Sequence, residues 1–295
     1  MEPEAVGEGM NNVTLTQTAV GHLRACPKMF KLRDIDGWQL AHEDKTALVD
    51  GTNWHGKLAA VALGRPFEFT DENLLKAARF TAMYDAYINH MGAVKKSGIE
   101  ISFRHPIINP STGRAAAYAE IAGKIDGLHH DGNEWWVVEH KTASDISGGY
   151  IGRLSLDFQI HVYAHYAQEL LGCPVAGVLY DVVKKCTLTG GKTETPEAHY
   201  VRVIDWYEKN KESAFYREKM RIQDREIESQ LWMYYQEILW RSNNNYWPRN
   251  SATCINYFNR KCPYFAYCES GDNQLVLQNS YEFVEPNAHL REKLI

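Results

Sequence analysis

The pattern of apolar and polar positions changes character several times along the chain. Residues 1–18 read as a loose lead-in. From about Thr46 the run ALVDGTNWHGKLAAVAL carries apolar residues at helical spacing, and a second helical run, DENLLKAARFTAMYDAYINHMGAV, reaches about Val94. Three runs with strand character follow, over residues 99–107, 115–126 and 134–141. Pro110-Ser111-Thr112-Gly113 separates the first two and Asp131-Gly132-Asn133 the last two, which predicts hairpins. A helix over 151–171 leads through Gly172-Cys173-Pro174 to a strand over 175–184, as in a crossover. A further strand over 199–206 and a long polar, solvated helix over 211–241 complete the expectation. The resulting core order is α-β-β-β-α-β, an α/β fold with helical additions.

Composition narrows the class. The 295 residues carry 32 Lys and Arg against 37 Asp and Glu, a net charge of −5; 44% are hydrophobic and 23% charged, as in a soluble globular protein. No run approaches the ~18 apolar residues of a membrane span. The expected organisation is a single domain over 1–295, with an N-terminal segment 1–45, a core 46–206 and a C-terminal segment 207–295. MEPEAVGEGMNN has neither the basic start nor the apolar stretch of a secretory signal, which predicts a cytoplasmic protein and makes Asn12-Val13-Thr14 a chance sequon. Six cysteines in that setting suggest metal or cluster ligation, or buried thiols, before disulfides. The net charge argues against polyanion binding through the bulk field and leaves a local basic groove open.

The most informative stretch is Gly123-Lys124-Ile125-Asp126-Gly127, a turn, and then Glu134-Trp135-Trp136-Val137-Val138-Glu139-His140-Lys141. Strand residues two apart share a face, so Glu139 and Lys141 point one way and Trp136, Val138 and His140 the other. A two-residue turn at Asp131-Gly132 would set Lys124 opposite Glu139 and make Asp126 a diagonal same-face neighbour of Glu139. Two carboxylates and an ammonium then meet on one hairpin. Hard divalent ions such as Mg²⁺ favour a few carboxylates and several waters; a cross-strand salt bridge is the plainer outcome. His55 lies in the first core helix, and Gln159 and Tyr163 share a helix face with Leu156, Tyr166 and Leu170. Gly51-x4-Gly56-Lys57 mimics a phosphate-binding loop, but Leu58 replaces the Ser or Thr that would hold Mg²⁺, so no ATP binding is expected. His129-His130 reads as a solvated hairpin tip.

Taken in this order, these residues resemble the PD-(D/E)XK nuclease superfamily, and within it the RecB-like branch that includes CRISPR-associated exonucleases and stand-alone phage exonucleases. The resemblance runs from about Thr14 to Cys268. It implies that His55, Asp126 and Glu139 ligate Mg²⁺ or Mn²⁺, with the His140 carbonyl as a further ligand. It also implies that Lys141 is the catalytic lysine and that Gln159 and Tyr163 form an accessory motif facing DNA. The expected function is a metal-dependent DNA exonuclease acting on single-stranded ends in recombination, repair or replication of a phage or bacterial genome, with a recombination protein as a possible partner. Tyr163 and nearby aromatics would stack on unpaired bases. The rival is a non-catalytic DNA-end binding subunit of a recombination or spacer-acquisition complex.

The cysteines carry a second resemblance to the same branch. Cys26 lies in Leu-Arg-Ala-Cys-Pro, and Cys254, Cys262 and Cys268 lie near the C-terminus. One ligand before the core and three after it resembles a [4Fe–4S] staple. The seven residues between Cys254 and Cys262, where the family has two, leave Zn²⁺ as an alternative. Cys173 and Cys186 read as packing residues.

Overall fold

The computed structural model describes residues 13–42, 46–69, 73–244, 246–255 and 260–287. The chain first forms β1 (Val13–Leu15), α1 (Gln17–Ala25), α2 (Pro27–Phe30), a π turn through Lys31–Ile35, and β2 (Trp38–Leu40). Two long helices, α3 (Thr46–Ala62) and α4 (Leu74–Met91), lead to β3 (Gly98–Ile108), β4 (Ala115–His130) and β5 (Trp135–Ala143). Then come α5 (Gly148–Leu154), α6 (Phe158–Leu171), β6 (Val175–Lys184), α7 (Pro196–Ala214), β7 (Phe215–Arg221) and α8 (Asp224–Asn244). A 3-10 turn (Ser251–Thr253), α9 (Phe265–Glu269), α10 (Gln274–Ser280) and β8 (Tyr281–Phe283) follow. This is a mixed α/β fold with a central sheet and several helices.

The chain divides into two compact units, one of Met1–Asp44, Ser102–Gly123 and Glu228–Ile295, the other of Lys45–Ile101 and Lys124–Ile227. In the second, β5 pairs antiparallel with β4 and parallel with β6, and β6 pairs antiparallel with β7. With β6 on one side and β4 on the other, β5 is an interior strand, and Val137 and Val138 are fully buried. The parallel β5–β6 pair needs a long connection, which α5 and α6 supply. Trp54, Phe80, Met83, Tyr87, Val203 and Tyr207 from α3, α4 and α7 form one of its apolar clusters. In the first unit, β1 runs parallel to the start of β4, pairing Val13 with Ala119, and β2 runs antiparallel to β8. Leu32, Tyr264, Tyr267, Leu277 and Tyr281 form a small core there.

Several expectations are corrected. Residues 13–25 are β1 and α1 rather than a loose lead-in, with Thr16 capping α1 by accepting from the Ala19 N–H at 3.1 Å; residues 1–12 lie outside the described residues. The helix expected over 151–171 breaks before Asp157, whose carboxylate accepts from the Gln159 N–H at 3.0 Å and starts α6. Leu156 is therefore 79% exposed and Leu170 60%, and the buried stripe of α6 is Ile160, Tyr163, Ala164 and Ala167.

The strand expected over 199–206 is helix. Thr195 caps α7, Pro196 opens its first turn, and His199, Val203 and Tyr207 recur on its buried face every four residues. The polar helix expected over 211–241 is interrupted by β7, whose charged residues suit a strand that pairs with β6 and stays half exposed. Gly51 to Lys57 lies inside α3, where no phosphate-cradling loop can form.

Candidate metal centre

The centre is built on the β4–β5 hairpin of the second unit. Asp131 shapes its tip by accepting from the Asn133 and Glu134 N–H groups, each at 2.9 Å, which makes a four-residue loop where two residues were expected. The strands pair Gly127 with Val138 and Leu128 with Val137, so one further step along the ladder puts Asp126 opposite Glu139 and moves Lys124 away from it.

Glu139 and Lys141 share a face of β5, as the alternation predicts. Lys141 Nζ lies 2.9 Å from Glu139 Oε1 and 3.5 Å from Asp157 Oδ2, and donates to Gln159 Oε1 at 3.1 Å. Glu139 is 4% exposed, and its Oε2 has no hydrogen-bond partner among the described residues. Asp126, also buried, accepts the His140 backbone N–H on Oδ2 at 2.8 Å and faces His55 Nδ1 with Oδ1 at 3.0 Å. His55 comes from α3, where the neighbouring Trp54 is fully buried and anchors the helix. Ligand-capable atoms of His55, Glu100 and Asp126 all lie within 4.8 Å of one another.

The electrostatics fit a site prepared for a cation. Burial pushes the Glu139 carboxyl up to about 7, against the pull of Lys141, and nearby Asp126 adds to the rise. Burial also opposes ionisation of Asp126, but His55 and the His140 N–H outweigh it and hold its carboxyl below the usual range. Burial disfavours a charged Lys141, yet Glu139 and Asp157 overcome this and keep it protonated. For His55, burial is outweighed by Asp126, Glu139 and Glu100, which raise the imidazole above its ordinary value. An imidazole with several carboxylates is a hard donor set suited to Mg²⁺ or Mn²⁺, and the orphaned Glu139 oxygen is one that a bound ion would satisfy.

A family model described as the PD-(D/E)XK nuclease superfamily matches residues 14–269. The chain belongs to this superfamily. PD-(D/E)XK proteins are nucleases, that is phosphodiesterases, typically use Mg²⁺ or Mn²⁺, and imply DNA as substrate. No curated protein matches the chain significantly. Nine chains of solved structures do; one, from "Crystal structure of SSO0001", is 13% identical, covers 79% of this chain and 79% of that chain, and superposes with a TM-score of 0.33.

Around the centre of this PD-(D/E)XK chain, the hairpin and α6 bring Asp126, Glu139, Lys141, Gln159 and Tyr163 into one charged and hydrogen-bonded neighbourhood. Tyr163 is 7% exposed and hydrogen-bonded with Gln159, so it offers no open ring face for a base. The His140 side chain points away to Asp181, with Nδ1 2.8 Å from Oδ2. The sequence missed Glu100 and Asp157. Asp157 had a readable signal as an acidic cap before an apolar helix; Glu100 had none, because its backbone φ of +52° is rare for a glutamate. Lys124 pairs with Glu100 rather than lying opposite Glu139.

The four terminal thiols belong to the first unit. Cys26, between α1 and α2, is buried, and its Sγ accepts from the Asn250 N–H at 3.5 Å. The Cys254 thiol donates to Asn250 O at 3.5 Å, and the Cys262 N–H donates to Cys254 O at 2.8 Å. Cys268 lies in α9. Burial first, and then the neighbouring Cys26 and Cys254, push the Cys262 thiol up. Cys186 packs in the apolar cluster of the second unit. No helix among the described residues is long and apolar enough to cross a membrane.

Proposed function

We propose that this PD-(D/E)XK protein is a metal-dependent DNA exonuclease that takes single-stranded ends. The observation that carries the reading is the hairpin face, where a buried carboxylate oxygen without a partner lies beside a lysine held protonated by Glu139 and Asp157. His55, Asp126 and Glu139, with the His140 carbonyl, would hold the ion. Mg²⁺ or Mn²⁺ there would supply a polarised phosphodiester and a water of lowered pKa.

The remaining roles belong to the chain. Lys141, beside Glu139 and Asp157, is placed to offset negative charge developing on the phosphate and to position the attacking water. Gln159 and Asp157 hold the Lys141 ammonium together with Glu139, and Tyr163 serves the accessory motif by holding Gln159 rather than by stacking. Gln159, on the first turn of α6, presents its amide toward the DNA backbone. The His140 N–H locks one oxygen of Asp126, which leaves the other for ligation.

The reading extends to recombination, repair or replication as the setting, with a recombination protein as partner. In the first unit Cys26, Cys254, Cys262 and Cys268 would hold a [4Fe–4S] cluster. In addition to burial, the nearness of Cys26 and Cys254 pushes the Cys262 thiol up, which supports a shared site, with Zn²⁺ as the alternative occupant. Protein purified without oxygen is then brown and loses its colour in Cys26→Ala; colourless protein with one zinc per chain overturns the cluster.

The test of the exonuclease compares linear with covalently closed circular single-stranded DNA of equal length, in Mn²⁺. Linear DNA is degraded and circular DNA spared. Equal cleavage of both contradicts the requirement for an end, and binding without cleavage of either turns the reading to a DNA-end binding subunit.

A further inference from the structure

The carboxyl ends of β5 and β6 open onto a cavity of about 330 Å³, none of whose lining residues belongs to the metal centre. β5 ends at Ala143 and β6 at Lys184, and the Lys185 N–H donates to Ala143 O at 2.7 Å, so the parallel pair delivers Ser144 and residues 185–187 to one rim. The carboxyl ends of parallel strands are where α/β sheets open ligand crevices. Asp50 of α3 and Arg79, Phe80 and Met83 of α4 line the rest, all within the second unit.

The charges of this cavity do not balance within the protein. Asp50 is buried, and Lys76 Nζ lies 3.1 Å from its Oδ1 as a counter-charge, although that oxygen accepts no hydrogen bond among the described residues. Arg79 and Lys185 are half-buried, and among the described residues neither side chain has an ion pair or a hydrogen bond. Two cations are thus left without a carboxylate. Burial pushes the Cys186 thiol up, so it stays neutral and adds no negative charge. Phe80 and Met83, both buried, give the cavity an apolar floor, and the exposed Ser144 and Thr187 place hydroxyls at its mouth.

A ligand that completes these groups carries two negative charges at one end, a flat apolar body and a hydrogen-bond donor. A phosphate monoester bears about −1.5 to −2 near neutral pH and matches the two spare cations, whereas a phosphodiester inside a strand bears a single charge. A nucleobase suits the Phe80 and Met83 floor, and its amino or imino N–H suits the Asp50 carboxylate. The volume is at the low end of the ~300–1,000 Å³ of small-molecule sites, room for one nucleotide and not for a strand. We propose that the cavity binds a free nucleoside 5′-monophosphate, with its phosphate on Arg79 and Lys185 and its base over Phe80 and Met83. The proposal rests on the nuclease reading for the origin of the ligand, which is the product of strand degradation.

The experiment titrates full-length protein with each of the four deoxynucleoside 5′-monophosphates, in a chelator so that no ion draws the phosphate to the hairpin, and follows heat and melting temperature. One-to-one binding of at least one nucleotide is expected, with a raised melting temperature. Arg79→Gln and Lys185→Gln should each weaken it at least ~tenfold, since a charge-assisted hydrogen bond is lost. The parent nucleoside and inorganic phosphate should each bind at least ~tenfold more weakly than the nucleotide. If one variant folds poorly, the other variant and the nucleoside comparison carry the test. No binding to the wild type, or unchanged affinity in the folded variants, overturns the proposal. Inorganic phosphate that binds as tightly as the nucleotide makes this a bare anion site, and a 5′-phosphorylated oligonucleotide that displaces the nucleotide makes it a site for strand ends; either result overturns it. Nucleotide binding by protein that cleaves no DNA supports the cavity and refutes the nuclease. Cleavage without nucleotide binding leaves the nuclease reading standing without the cavity.

Discussion

On one face of β5, Glu139 and Lys141 meet Asp126 and Gln159; on the other, His140 meets Asp181, which also accepts from the Tyr87 hydroxyl at 2.6 Å and from Arg217 Nε at 2.9 Å. Both faces bury charge in the same strand, and they treat it differently. Asp181 is 2% exposed and has partners on both oxygens, and Arg217 spends its other donors on the Tyr87 hydroxyl and the carbonyls of Met91 and Gly92. Burial opposes the ionised Asp181, but His140 and Arg217 outweigh it and keep the carboxyl low. The Glu139 face lacks that closure, since one oxygen has no partner and burial holds the carboxyl up at about 7. The saturated carboxylate of Asp181 ties α4, β5, β6 and β7 to one another, although the neighbouring His140 Nε2 has no hydrogen-bond partner among the described residues. Glu139, by contrast, keeps an oxygen that a bound group would satisfy.

The largest contrast should come from the saturated side. Asp181→Ala leaves Arg217 without its carboxylate and is expected to cost about 3–5 kcal/mol, read from urea unfolding; a cost below about 1 kcal/mol would erase the distinction between the faces. Glu139→Gln is the opposite case. It should lower the cleavage rate at least ~10²-fold, about 2.7 kcal/mol of barrier. Its melting temperature should equal or exceed that of the wild type, because a buried charge has been removed. A folded Glu139→Gln that cleaves normally would take the site away from this face. The response to metal comes last and is no larger. Mn²⁺ at 100 times its Kd should stabilise the wild type by about 2.7 kcal/mol, and Glu139→Gln should lose most of that shift, as thermal unfolding with and without Mn²⁺ would record.

The legibility of these features in the sequence follows from how local their causes are. Glu139 and Lys141 share a face because a strand alternates, so that part of the centre could be read directly. The register could not, because it depended on Asp131 wrapping Asn133 and Glu134 into a four-residue loop instead of a two-residue turn. In α7 the stretch over 199–204 carries Tyr200, Val201, Val203 and Ile204, aromatic and β-branched residues that favour a strand, and the decisive signals are the Thr195 cap and Pro196 just before it. β7 is rich in charge and its sequence predicts helix, since its pairing with β6 is a long-range event that local propensity does not record. Glu100 was hidden for a similar reason: its relation to His55 and Asp126 comes from a positive φ and from strands brought together in space.

The most direct test of the central claim, that the hairpin face of β5 is a metal-dependent nuclease site, is the cleavage rate of end-labelled single-stranded DNA by the wild type and by Lys141→Ala, each with Mn²⁺ and with a chelator. The account predicts cleavage by the wild type only when Mn²⁺ is present, and a loss of at least ~10²-fold in folded Lys141→Ala. Cleavage that persists in the chelator, or a folded Lys141→Ala that matches the wild type, would contradict it.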